Sequence, residues 1–186
     1  MVKGISYRVG LTALALAVPL PALAQASGSA TATAEAAILD PGTVVKTADM
    51  NFGQIAKPAS AGTVVLVPTA SPVCNVTGGL VRTGTCQPAE FAVMGQKQGR
   101  IRMREQNGGV ITLLGPSGAT MQVTNITLST TDLTPINGAG GWNLGRHEIT
   151  SNNGTARFRI GGTLHVNANQ QGGAYNGTLQ LEVNFN

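Results

Sequence analysis

Two histidines, two cysteines and a strip of arginines are the residues with most chemistry to offer, and their spacing builds no reaction centre. Cys74 and Cys86 stand twelve positions apart with no histidine nearby, a poor zinc pattern. In a chain that is exported, as its first residues indicate below, two cysteines most simply close one disulfide. Loop-closure entropy makes that bond worth about 3 kcal/mol. His147 adjoins Glu148, but no nucleophile accompanies them. His165 falls on the polar parity of its segment, the place of a solvated side chain. Gly115-Pro116-Ser117-Gly118 lacks the Gly-x-Ser-x-Gly spacing of a nucleophile elbow. The glycines between Gly138 and Gly145 do not join a strand to a helix as a phosphate-binding loop must. We therefore expect no enzyme, and no catalytic, metal-binding or cofactor-binding set.

Arg100, Arg102 and Arg104 recur at every second position, with Lys97 just before them. On a strand they share one face. Such a strip can hold acidic polysaccharide, lipid headgroups or nucleic acid, or simply keep a sheet face solvated. No aromatic residue is interleaved for base stacking, so a nucleic-acid partner is not expected. Asn75, Asn125, Asn153 and Asn176 each begin an Asn-x-Thr acceptor pattern, which chance supplies in a chain rich in both residues.

The elements that must position these residues read as strands. The final fifteen residues carry Tyr175, Leu179, Leu181, Val183 and Phe185 on one parity and Thr178, Gln180, Glu182 and Asn184 on the other. This is a half-buried strand running to Phe185 and held in a sheet. Ala156, Phe158, Ile160, Leu164 and Val166 also share a parity. A hairpin at Gly161-Gly162 would oppose Phe158 to His165 across faces, so one long strand bent at the glycines is expected instead. Further strands are expected at Thr43–Lys46, Glu90–Gly95, Arg100–Arg104, Val110–Leu114 and from Met121 to Leu128, and the continuous apolar run within Gly62–Pro68 suits a strand buried on both faces or one that shifts between sheets. The parity shift near Asn125 indicates a bulge or a bend. Met50–Ile55 reads as a strand kinked at Gly53. Residues 131–147, with Trp142, read as a long surface loop. No ten-residue stretch beyond residue 24 has helical periodicity. Many short strands and glycine-rich turns describe an all-β antiparallel two-sheet sandwich or a barrel; long strands bent at glycines can pass between sheets, which favours the sandwich.

The first residues carry an export signal. Lys3 and Arg8 precede the apolar run Leu11 to Leu20, and Ala22-Leu23-Ala24 forms a cleavage site between Ala24 and Gln25. That run is too short to span a bilayer, and no membrane span is expected. Removing residues 1–24 leaves enough chain for one domain, with ten basic against eight acidic residues. The mature charge thus gives little reason for a polyanion partner through long-range attraction. Residues 25–38 read as a flexible extension. Ala30, Ala32, Ala34 and Ala36 alternate there with polar residues, so the same segment is a candidate donor strand with a small-residue face. Residues 39–186 form the β-sandwich domain.

Four blocks, in order, resemble a bacterial family of exported proteins known as domain-of-unknown-function family 4402. They are Thr47–Ile55, Gly62–Leu66, Gly161–Val166, and Gly173–Thr178 continuing to Asn184-Phe185. That family is similar to spore-coat-U-like and chaperone–usher pilin domains. Such pilins carry a glycine fourteen residues from the C-terminus and a penultimate tyrosine; Gly173 and Phe185 stand at those positions. The resemblance implies an immunoglobulin-like sandwich lacking one strand, filled first by a periplasmic chaperone and then by the extension of another subunit. It implies a structural surface-assembly protein, like a pilus (fimbrial) subunit, in the periplasm, on the cell surface or outside the cell. Its partners would be that chaperone and further copies of itself or related subunits. The alternative is a monomeric secreted sandwich that binds carbohydrate or another surface ligand through the 131–147 loop and Trp142.

Overall fold

The structure, a computed structural model, describes residues 42–137 and 143–186. The expected signal, its Ala24–Gln25 cleavage site, the extension with Ala30, Ala32, Ala34 and Ala36, and Trp142 lie outside the described residues. The strands are β1 (Thr43–Ala48), β2 (Gln54–Ile55), β3 (Gly62–Val67), β4 (Val73–Val76), β5 (Arg82–Thr83), β6 (Ala89–Met94), β7 (Arg100–Glu105), β8 (Ile111–Leu114), β9 (Thr120–Thr131), β10 (Leu133–Asn137), β11 (Asn143–Ile149), β12 (Thr155–Val166) and β13 (Leu181–Phe185). Every named strand pair is antiparallel. Among the described residues there is no α-helix, only a single 3₁₀ turn at Pro116–Gly118.

β12 is the spine of the larger sheet, and its pattern explains why. Its two glycines do not end it, because the apolar parity continues through them to Leu164 and Val166, both buried. Along one edge its first half pairs with β6 and its second half with β3. Along the other edge β9 follows it, with a register shift between the partners of Gly161 and Thr163. Asn125 sits at that shift with φ 48°, so of the bulge or bend that the parity change indicates, it is a bulge that is present. Gly161 lies where the neighbours along the first edge change. A Cβ there would stand 2.2 Å from the Leu66 carbonyl oxygen, so only glycine lets β12 pass. β1 borders β6, β4 borders β3 and β8 borders β9.

A smaller sheet runs β10-β11-β7-β13. Ile101, Met103, Leu133, Leu144 and Ile149 from this sheet pack with Ala89, Val93, Ala156, Phe158 and Ile160 from the larger one. The two sheets thus face each other across one core. Each fully buried large side chain of this cluster contributes about 1.5–3 kcal/mol. Phe91 and Phe158, cross-strand partners in β6 and β12, stack with ring centroids 5.0 Å apart.

Two expectations need correction. Residues 133–137 and 143–147, within the expected surface loop 131–147, form strands instead: β10 and β11 pair with each other, β11 also pairs with β7, and Leu133, Leu144 and His147 are buried. Glycine, asparagine and proline hid a strand pair that an edge position tolerates, since Pro135 needs no ladder partner on its outer side. The terminal strand is also shorter than its parity indicates. It begins at Leu181, so Leu181, Val183 and Phe185 lie on it, and Tyr175 and Leu179 do not. Near Gly53, the Met50–Ile55 stretch is likewise broken into an isolated bridge from Asn51 to Gln87 and the two-residue β2, which pairs with β5.

Candidate functional site

The smaller sheet covers only part of the larger one. A second apolar cluster (Phe52, Val64, Leu66, Leu80, Ile111, Val123, Leu164 and Val166) takes no residue from the smaller sheet. Its floor is the inner face of β8, β9, β12 and β3. Residues 49–58, mostly irregular apart from the two-residue β2, and irregular residues 170–179 stand where the smaller sheet does not reach. Cys74 and Cys86 bind its margin together as the expected disulfide, with sulfurs 2.09 Å apart.

Between floor and walls lies an open cleft of about 940 Å³. Ile111, Leu113, Met121, Val123, Leu164 and Val166 line it from the sheet, and Phe52, Tyr175 and Leu179 from the irregular segments. Lys46, Asp49 and Lys57 also line it, and the apolar side chains on alternate positions of its floor can receive other apolar side chains. Among the described residues no three His, Cys, Asp or Glu side chains are grouped to hold a metal ion.

The wall at 170–180 is built by particular contacts. The Tyr175 hydroxyl donates to the Gln171 carbonyl and accepts from Gln170 Nε2, each at 2.8 Å. Gly173 abuts the 3₁₀ turn, where a Cβ would stand 2.7 Å from Pro116 Cγ. Asn176 exchanges two backbone hydrogen bonds with Leu114 at the end of β8. Leu179 packs against both apolar clusters. Asn107, in the turn after β7, uses its side-chain amide to bind Thr178 and Gln180. That turn is fixed by Glu105, only 1 % exposed, whose carboxylate accepts the N–H groups of Asn107 and Gly109. No periodic pattern signals either role, because both depend on a turn meeting distant backbone.

Beyond this wall the chain enters β13. Its backbone pairs with β7 from Leu181↔Glu105 to Phe185↔Ile101, and the Asn186 N–H adds a bond to the Arg100 carbonyl. β13 is the last strand of the smaller sheet and β1 an end strand of the larger one. Leu181, Val183, Phe185 and Val44 are all half-buried against the shared core. The near-terminal strand is therefore held on one side, with its other edge unpaired among the described strands.

The remaining polar candidates separate. His165 is exposed, with Nε2 2.7 Å from the Thr124 hydroxyl. His147 is 4 % exposed, and its Nδ1 has no hydrogen-bond partner. Burial holds its pKa below the ordinary value of 6.5. Arg100, Arg102 and Arg104 occupy the face of β7 opposite Ile101, Met103 and Glu105, as the strand parity requires. The structure does not bring the histidines, cysteines and arginines together.

Comparison with known proteins places the chain in one family. The family model described as Domain of unknown function (DUF4402) matches residues 43–185, and the chain belongs to that family. No curated protein and no solved structure matches it significantly.

Proposed function

We propose that this DUF4402 protein is an exported surface-assembly subunit that acts by strand addition and not by catalysis, on an immunoglobulin-like sandwich with one strand place left open. One observation carries the reading: part of the larger sheet's inner face is left uncovered by the smaller sheet and forms the apolar floor of an open cleft. A strand laid beside an unpaired edge gains backbone hydrogen bonds and inserts alternate side chains. The unpaired edges of β13 and β1, with their half-buried apolar side chains, support the same reading. The disulfide fits an oxidising compartment. The donor would be residues 25–38 of a neighbouring copy, presenting Ala30, Ala32, Ala34 and Ala36. A periplasmic chaperone would occupy the place beforehand.

The test is a detergent gel of the mature chain with and without heating. Strand-linked subunits run as a ladder that collapses on heating, and deletion of residues 25–38 reduces it to monomer. A chain that stays monomeric in both forms overturns the proposal and favours the monomeric ligand-binding sandwich.

A further inference from the structure

The outer face of the smaller sheet holds a charge arrangement that no single strand reveals. Strand pairing sets Arg100 of β7 opposite Glu148 of β11, and Arg104 opposite Glu182 of β13. Between these two rows, Arg102 lies opposite Arg146 on one side and Asn184 on the other. The central row therefore places two arginines directly across from each other. Directly opposed like charges weaken a sheet. The larger sheet avoids this: Arg157 and Arg159 both reach Glu90, at 3.2 and 2.6 Å. Neither Arg102 nor Arg146 has an ion pair among the described residues.

We propose that Arg102 and Arg146 form a binding site for the anionic groups of an acidic polysaccharide. Two guanidinium groups on adjacent strands can grip one carboxylate or sulfate from both sides, each through a planar pair of N–H donors. The anion would remove the repulsion between them. The flanking Glu148 and Glu182 restrict the positive ground to a narrow row. That suits widely spaced charges along a sugar chain better than a continuous phosphate surface. Arg100, Arg102, Arg104, Arg146 and Asn184 offer no large apolar group to enter a bilayer and no aromatic ring to stack on a base. The site does not depend on strand addition; a polymer would multiply its strength by repetition.

The experiment measures binding of the mature chain to polygalacturonate and to dextran sulfate, with neutral dextran and phosphatidylglycerol–phosphatidylcholine vesicles as the other arms. We expect binding to the two acidic polymers, none to neutral dextran, and a steep loss with salt. The Arg102→Gln/Arg146→Gln variant should bind at least tenfold more weakly, with a salt slope smaller by about two charges. It should melt no lower than the parent, because a repulsion is removed. Arg157→Gln should bind like the parent. Should the double variant fail to fold, Arg146→Gln alone, at an exposed position, gives the same reading. Unchanged binding by the variants, no polysaccharide binding by the parent, or capture by vesicles alone would overturn the site.

Discussion

Asn107 Oδ1 accepts the backbone N–H of Gln180 at 2.8 Å, taking the place of a strand neighbour just before β13 begins. Its Nδ2 donates to the Thr178 carbonyl at 3.0 Å. One side chain thus satisfies two backbone groups of the cleft wall. Asn107→Ala should cost about 1–2 kcal/mol, since water can partly replace both bonds. Hydrogen exchange checks the location. The Gln180 amide should exchange faster in the variant, while the amides of Leu181–Phe185 that bond to β7 stay protected.

This substitution of a side chain for a ladder also explains where the sequence misleads. Tyr175 and Leu179 keep the parity of the true strand because both face apolar surroundings, yet the backbone between them is bonded to Asn107 and Leu114. Parity reports which side chains are buried and says nothing about the partner of each N–H. The same rule worked for β12, where Phe158, Ile160 and Leu164 stay on one face through two glycines, and for the bulge at Asn125. It failed for β10 and β11, where few apolar residues lie among many glycines and asparagines. Arg146 was silent because its meeting with Arg102 is a tertiary fact, 44 positions apart in the chain. The disulfide was legible from composition alone, whereas the cleft was not, because its floor joins β8, β9 and β12.

His147 makes stability depend on pH in one direction. Its folded pKa lies below 6.5 through burial. The unfolded chain therefore takes up the proton first as pH falls. Above pH 6.5 both states are neutral at this residue and the full contribution is present. Below it stability declines until the lowered folded pKa is passed, and then levels. His147→Leu should flatten this part of the profile. It removes an unpaired Nδ1 along with the titration, so its melting temperature at pH 5 should be no lower than the parent's. Melting curves between pH 5 and pH 7.5 supply the comparison.

The Cys74–Cys86 disulfide restrains the part of the molecule that the smaller sheet does not cover. Replacing both cysteines with alanine should cost about 3 kcal/mol, mainly by freeing the unfolded chain. Denaturant titration would show an earlier midpoint for the variant. The loss should fall first on the second apolar cluster, which the two cysteines border. The pairs between β7, β11 and β13 should then remain the slowest to exchange. An unchanged midpoint would mean that the irregular walls hold the cleft without the bond.

Gly115 leaves room for the ring of Tyr175, and this contact links stability to the cleft. A Cβ on Gly115 would lie 2.3 Å from Tyr175 Cε1 and 2.5 Å from Cζ. Those atoms cannot share that space, so Gly115→Ala must displace the ring and strain its hydroxyl bonds to Gln170 and Gln171. Overpacking of this kind costs about 1–3 kcal/mol. Tyr175→Phe removes only the hydroxyl and should cost about 1 kcal/mol. In Tyr175→Ala the ring is gone, so adding Gly115→Ala should cost little more, and the double-mutant cycle should be strongly non-additive. The ring lines the cleft, whereas the core between the sheets lies elsewhere. Strand addition should therefore suffer more from Gly115→Ala than the melting temperature does. The check is a gel ladder and a melting curve on the same preparation. A ladder that survives while the melting temperature falls sharply would separate Tyr175 from the docking surface and confine its role to holding the 170–180 segment in place.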